Sequence, residues 1–175
     1  MTYMKSVETM SKHPVWFTSQ EMLPGAVEFI DTQTAMSQFD VNFFGMVRMC
    51  RAVLPYMRKA GNGKIINLSS VAATIPIPFQ TFYSASKAAI NAYTMALANE
   101  VRPYHIHVCA VMPGDIRTHF TASRKKTVTG DAAYDERLCR SVAKMEKDEQ
   151  NGMDPKAVAH VLVRIAKKKR TKPLF

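Results

Sequence analysis

Apolar residues recur every three or four positions across the second quarter of the chain. Asp31 and Thr32 are typical of a helix start, and the stretch AGNG at 60–63 ends the pattern. The recurring positions are Phe39, Phe43, Met46, Val47, Cys50, Val53, Leu54 and Met57. This spacing predicts one long helix over about 33–59, and Gly45 favours a kink within it.

Two β-branched runs, KIINLSS at 64–70 and IHVCAVM at 106–112, predict short strands buried on both faces. Between them an alanine-rich pattern predicts a helix over about 81–102, which Pro103 ends. Asp154 and Pro155 are typical of the start of a last helix. The alternation of helix and strand predicts an α/β fold with a parallel sheet.

Two segments carry no clear period. Residues 1–24 are rich in Met and are interpreted as a poorly specified N-terminal segment, ahead of a single domain over 25–175. The region 117–152 is polar and weakly periodic, and it is interpreted as a variable lid over 119–151.

The formal net charge of +10 is concentrated in two runs, 124–126 and 167–170. Such runs attract an anion or form a solvated helix end, where cations favour the helix dipole. The second interpretation is preferred because no aromatic residues interleave with the charges, and a nucleic acid partner is not expected. The three cysteines are far apart and predict reduced thiols in a cytoplasmic protein. No membrane span or leader is expected.

The stretch TFYSASKAAINAY contains Tyr83 and Lys87 at helical i,i+4 spacing. A lysine ammonium beside a phenol lowers the phenol pKa, so the pair is a candidate acid/base for a carbonyl or alcohol oxygen. On spacing alone, an inconsequential surface pair is the better interpretation. Ser70, however, ends the first strand, and ligands bind beyond the carboxyl ends of such strands.

Other chemistry has little support. His105 and His107 share a strand face but lack a third ligand at suitable spacing, so no metal site is predicted. Ser70 lacks the G-x-S-x-G turn of a hydrolase.

Four motifs, in order, resemble those of the short-chain dehydrogenases/reductases. They are V-N-x-x-G at 41–45, I-x-N-x-S-S at 65–70, Y-x-A-S-K at 83–87 and P-G-x-I-x-T at 113–118. The resemblance implies a Rossmann-like, doubly wound, three-layer fold. It also implies an NAD(P)-dependent oxidoreductase that interconverts a carbonyl and an alcohol, with NADP(H) slightly preferred as cofactor.

The resemblance also implies roles for individual residues. Tyr83 would be the general acid/base, and Lys87 would lower its pKa and bind the nicotinamide ribose. Ser70 would donate a hydrogen bond to the substrate oxygen, and Asn42 would hold a water linked to Lys87. The nicotinamide end would contact the loop of Pro113, Gly114, Ile116 and Thr118.

The chain departs from the family pattern at its N-terminal end. Its seven glycines do not form the glycine-rich turn that cradles a pyrophosphate, and 172–175 resembles the start of a last strand. The chain is therefore interpreted as a catalytic half lacking the first βαβ units, which binds dinucleotides weakly alone and tends to associate. A truncated product, an alternative start and a fragment remain open.

Two functional hypotheses follow. The first is an oxidoreductase acting on a small carbonyl or alcohol substrate, forming a homo-oligomer through its long helices. The alternative is a non-catalytic interaction module that docks through its 33–59 and 81–102 helices.

Overall fold

The computed structural model describes residues 15–17, 22–117 and 131–175, with backbone only for the first of these ranges. In chain order the regular elements are strand β1 Val15–Phe17, helix α1 Thr32–Phe39, a π-helical turn Asp40–Phe44, helix α2 Gly45–Ala60, strand β2 Gly63–Leu68, helix α3 Thr81–Glu100, strand β3 Ile106–Val111, helix α4 Ala132–Gln150 and helix α5 Pro155–Lys167.

The long helix predicted over 33–59 is present, and it contains a π-helical turn directly before Gly45. The Asp31 side chain caps α1 by accepting a hydrogen bond from the Thr34 amide at 2.8 Å. The turn Asp40–Phe44 then joins α1 to α2. Gly61 ends α2 in the left-handed conformation, with φ of 68°. A π-helical turn inserts one residue into the helix and is frequent at functional sites.

The three strands form a parallel sheet in the order β1, β2, β3. The register pairs Ile65 with Val15 on one side and with Val108 on the other. At the far side of β3 the chain end adds one more parallel bridge, between Ala110 and Leu174. The resemblance of 172–175 to the start of a further strand therefore corresponds to sheet pairing in the structure.

Helices cover both faces of this sheet. On one face, side chains of α2 and α3 enclose Ile65 and Val108. On the other face, α5 packs Leu162 and Ile165 against Ile66 and Cys109. Adjacent strand residues thus point to opposite faces, each into an apolar layer, as a parallel sheet requires. The predicted α/β, three-layer, doubly wound architecture is confirmed.

Two elements lie where the sequence showed no period. Strand β1 falls within 1–24, and it gives β2 a neighbour on each side. Helix α4 occupies much of the presumed lid at 119–151. It was overlooked because only Leu138 and Met145 on it are buried, which leaves too few apolar positions for a visible period.

In the described ranges, no helix combines the length and the apolar character that crossing a membrane requires.

Candidate active site

The site lies where β2 and β3 reach their carboxyl ends. Two hydrogen bonds join the loops that follow these strands: the Ser69 amide donates to the Val111 carbonyl at 2.8 Å, and the Val71 amide donates to the Pro113 carbonyl at 3.0 Å. The loops therefore form one continuous floor, at the position where ligands bind in open α/β sheets.

Tyr83 and Lys87 project from the first turns of α3 toward this floor. Both are buried, with 5% and 2% of their surface exposed. The Lys87 Nζ lies 5.6 Å from the centre of the Tyr83 ring. The two side chains thus share a helix face and a common environment, which rules out the inconsequential surface pair that spacing alone had favoured.

Burial makes Lys87 unusual. Its ammonium donates a hydrogen bond to the Leu68 carbonyl at 3.2 Å, at the end of β2. Loss of hydration lowers the pKa of Lys87 to about 8. Its own backbone is held in place because Ser69 Oγ donates to the Lys87 carbonyl at 3.0 Å. The amine therefore sits at a fixed point between α3 and the strand end.

Ser70 stands directly after β2 in an extended conformation, with φ of −161°. Its Oγ accepts a hydrogen bond from the Ala72 amide at 3.1 Å, which caps a short 3-10 turn. The O–H group forms no hydrogen bond with any residue that the structure describes. The hydroxyl is thereby oriented as an acceptor toward its own loop, and its proton is available for a further hydrogen bond.

Asn42 lies in the π-helical turn and is 1% exposed. Its Nδ2 donates to Ser86 Oγ at 3.3 Å, and Ser86 Oγ donates to the Tyr83 carbonyl at 2.7 Å. The π turn is thus tied to the helix segment that carries Tyr83. Asn42 itself does not line the cavity described next.

A cavity of about 320 Å³ opens above the floor. It brings together Tyr83, Lys87 and Ser70 with the Pro113, Gly114 and Ile116 loop. Its volume is within the usual range of sites that bind small molecules. Six of the eight predicted site residues therefore meet in one place; Asn42 stands behind them, and Thr118 lies outside the described residues.

Sequence reasoning missed the apolar part of the wall and one carboxylate. Met22 belongs to the segment interpreted as poorly specified, and Met145 and Glu149 belong to α4. A capping signal was available for α4, because the Asp131 side chain accepts from the Ala133 amide at 2.8 Å. The opposite-charge pair of Lys144 and Asp148 at i,i+4 spacing was a second signal.

Backbone hydrogen bonds join the loop after β3 to the residues just before α5. The Met153 amide donates to the Asp115 carbonyl at 2.8 Å, and the Arg117 amide donates to the Met153 carbonyl at 3.0 Å. Gly152 permits this close approach, since a Cβ there would lie 2.6 Å from the Asp115 carbonyl carbon. The position of Ile116 beside the cavity therefore depends on backbone pairing across 115–117 and 152–153.

Residues 22–129 match the family model for short chain dehydrogenase. Among curated relatives, the chain is 47% identical over 147 residues to a 3-ketodihydrosphingosine reductase of Bacteroides thetaiotaomicron, which covers 83% of this chain and 55% of the relative. It is 35% identical over 143 residues to a dehydrogenase/reductase SDR family member 7B of Xenopus laevis, covering 81% of this chain and 41% of the relative. The chain thus spans about half the length of these curated relatives.

A crystal structure of a short-chain dehydrogenase from Streptomyces avermitilis superposes with a TM-score of 0.80 at 24% identity. The match covers 98% of this chain and 66% of that one. At this identity the likeness establishes the fold alone.

Proposed function

This chain belongs to the short chain dehydrogenase family, and we propose that it supplies the catalytic residues of an oxidoreductase that interconverts a ketone and an alcohol. The observation that carries the proposal is the convergence of Tyr83, Lys87 and Ser70 on one cavity at the strand ends. A phenol, an ammonium and a hydroxyl are the groups needed to move a proton at a carbonyl oxygen and to stabilise its developing charge.

In this proposal Tyr83 gives its phenolic proton to the substrate oxygen during reduction and accepts one during oxidation. Ser70 donates its O–H to the same oxygen. The Lys87 ammonium favours the phenolate form of Tyr83 through its charge, and its position is maintained by the Leu68 carbonyl. Asn42 acts through Ser86 on the helix segment that carries Tyr83 and is a positioning residue.

The residues around the cavity fit the nicotinamide end of NAD(H) or NADP(H). Buried Lys87 faces the cavity, and the backbone of Pro113, Gly114 and Ile116 forms one side of it, so a ribose and a carboxamide would find polar partners. When bound, this cofactor supplies the hydride. We propose NADP(H) as the preferred form, a choice that parallel titrations with both cofactors would decide.

We further propose that the substrate carries an apolar chain beside its carbonyl. Much of the cavity wall is apolar, contributed by Met22, Leu68, Ile77, Met145 and Leu162. The 47% identical relative is named for a ketone of this kind, 3-ketodihydrosphingosine. The proposal predicts a higher kcat/KM for 3-ketodihydrosphingosine than for a short water-soluble ketone. Equal values for the two ketones would refute the apolar-chain assignment.

The acid/base role is tested by Tyr83→Phe, which removes the phenolic oxygen and keeps the ring. We expect cofactor-coupled ketone reduction to fall at least about a hundredfold. The circular dichroism spectrum should be unchanged, because the ring still packs against Met22 and Met145.

Tyr93→Phe is the matched control, because Tyr93 lies on the same helix but does not line the cavity. The control should keep the activity. If Tyr83→Phe kept more than about a tenth of the rate, the assignment of Tyr83 as acid/base would be wrong.

We also propose that the chain forms a homo-oligomer through α3. One side of this helix is exposed and lined by small residues: Ala85, Ala88, Ala92 and Ala96. Beside it, exposed Met36 and Phe44 and half-buried Phe82 line a shallow recess between the long helices. Small residues allow close approach of a second helix, and the flanking apolar side chains supply the area to be buried.

A further inference from the structure

The net positive charge of the described chain lies at one edge of the molecule. The connections that lead into β2, β3 and the terminal bridge all lie at the amino ends of the parallel strands, opposite the cavity. They carry eight exposed cations: Arg58, Lys59, Arg102, residues 167–170 and Lys172. We call this surface the basic edge. Glu100 is the one carboxylate that the described connections place beside it.

The rest of the described residues are electrically balanced. They hold eleven Lys and Arg and eleven Asp and Glu. The excess of seven positive charges in the described ranges is therefore a property of the basic edge, and none of its cations forms an ion pair with a described residue.

Contacts show that the three connections form one surface. The Arg58 guanidinium lies 5.9 Å from the centre of the Tyr104 ring. This contact joins the connection between α2 and β2 to the connection between α3 and β3. The Lys64 ammonium, at the start of β2, donates hydrogen bonds to the Ile165 and Ala166 carbonyls at 3.2 and 3.0 Å and also to the Lys168 carbonyl. These hydrogen bonds join the start of β2 to the connection that follows α5.

Capping of helix ends does not account for these cations. Buried Lys64 already satisfies the last carbonyls of α5, and Gly61 closes α2 with backbone hydrogen bonds to Met57 and Arg58. The exposed lysines and arginines are therefore additional to what the helix ends require.

We propose that the basic edge docks the protein on a bilayer surface containing anionic lipid. The cations are spread across three connections and do not converge, which suits a flat field of headgroups better than a single phosphate group. Tyr104, 43% exposed among them, is an aromatic residue of the kind enriched at membrane interfaces. In this orientation the catalytic cavity faces away from the bilayer.

The test is flotation of the protein on density gradients with vesicles of phosphatidylcholine, alone or mixed with phosphatidylglycerol. Flotation separates vesicle-bound protein from aggregates, which sediment. We expect the protein to float with the mixed vesicles only, and high salt should release it because screening shortens the reach of charge to about 3 Å at 1 M.

The variant K167Q/K169Q/R170Q/K172Q removes four cations of the basic edge without altering Lys64 or Lys168. Its partitioning to mixed vesicles should fall at least about tenfold. The control R140Q/K144Q/K147Q/K156Q removes the same charge from exposed positions on α4 and α5 and should float like the wild type. A second variant, R58Q/K59Q/R102Q, changes only the other two connections and should also lose partitioning.

Three results would overturn the proposal. First, the wild type could fail to float with mixed vesicles. Second, the edge and control variants could lose partitioning equally, which would indicate that binding depends on net charge and not on where the charges lie. Third, duplex DNA could displace the protein from vesicles at equimolar phosphate, which would indicate a nucleic acid partner.

Discussion

Lys87 shows at the scale of one residue how the proposed catalytic role opposes stability. Its amine is almost fully buried, with the Leu68 carbonyl as its described hydrogen-bond partner. Burial of a charge costs free energy, and the lowered pKa expresses that cost. A fall from 10.5 to about 8 corresponds to about 3 kcal/mol between the two protonation states. A buried amine at this position lowers the stability of the folded protein, so a purely structural role does not explain it.

This cost predicts a pH-dependent difference between the wild type and Lys87→Met. Below pH 8 the wild type carries the full cost, because the lysine is protonated in both the folded and unfolded states. From pH 8 to 10.5 the folded protein releases the proton first, so its stability rises relative to the variant. We expect Lys87→Met to be the more stable protein near neutral pH, by up to about 3 kcal/mol, with the advantage shrinking toward pH 10.5.

Urea unfolding of both proteins across this pH range measures the difference, and effects of titrating groups that do not interact with Lys87 cancel in it. A difference that stays constant with pH would show that burial does not lower the pKa of Lys87.

At the scale of elements, the site depends on joints between segments that are far apart in sequence. The π-helical turn Asp40–Phe44 places Asn42 against the Tyr83 segment. The backbone pairing of 115–117 with 152–153 holds the loop after β3 beside the cavity. The first joint is a side-chain hydrogen bond that the π-helical turn positions, and the second is backbone pairing. A small change of shape at either joint should move the candidate catalytic groups without touching them.

Gly152→Ala tests the second joint. The added methyl would lie 2.6 Å from the backbone carbon and oxygen of Asp115, and backbone cannot turn aside as a side chain can. We expect the variant to lose about 1–3 kcal/mol in the free energy of unfolding, measured with urea.

Gly114→Ala is the matched control for stability, because nothing lies within 4 Å of a Cβ at that position. It should change the free energy of unfolding by less than about 0.5 kcal/mol. Equal effects from the two substitutions would argue against a tight joint at Gly152.

At the scale of the whole molecule, the length of the parallel strands separates the cavity from the proposed docking surface. The cavity opens at the carboxyl ends of the strands, and the basic edge lies at their amino ends. The exposed alanine side of α3 is a third surface, and in the proposed oligomer it would leave both ends of the sheet accessible.

The oligomer proposal predicts that A88E/A92E weakens self-association. Burying carboxylates between two helices is costly, while Glu costs little in an exposed helix. Light scattering after size exclusion should show a mass nearer the monomer for this variant than for the wild type. A133E/A143E, at exposed positions on α4, is the control and should keep the wild-type mass. If both variants had the wild-type mass, α3 would not be the interface.

The sequence by itself determined strands β2 and β3, the long helices and the candidate catalytic set. Those features depend on local signals: β-branched runs, helical periodicity, capping by Asp31 and the fixed spacing from Ser70 to Lys87. Helix α4 was not predicted because few of its residues are buried, and strand β1 was not predicted because three residues paired through their backbone leave little periodic pattern. Only the tertiary structure decided that Met22 and Met145 close over Tyr83, that Lys87 is buried, and that three basic connections form one edge. The physical reason is that burial and charge density depend on which segments the sheet brings together, and the spacing of residues along the chain does not contain that information.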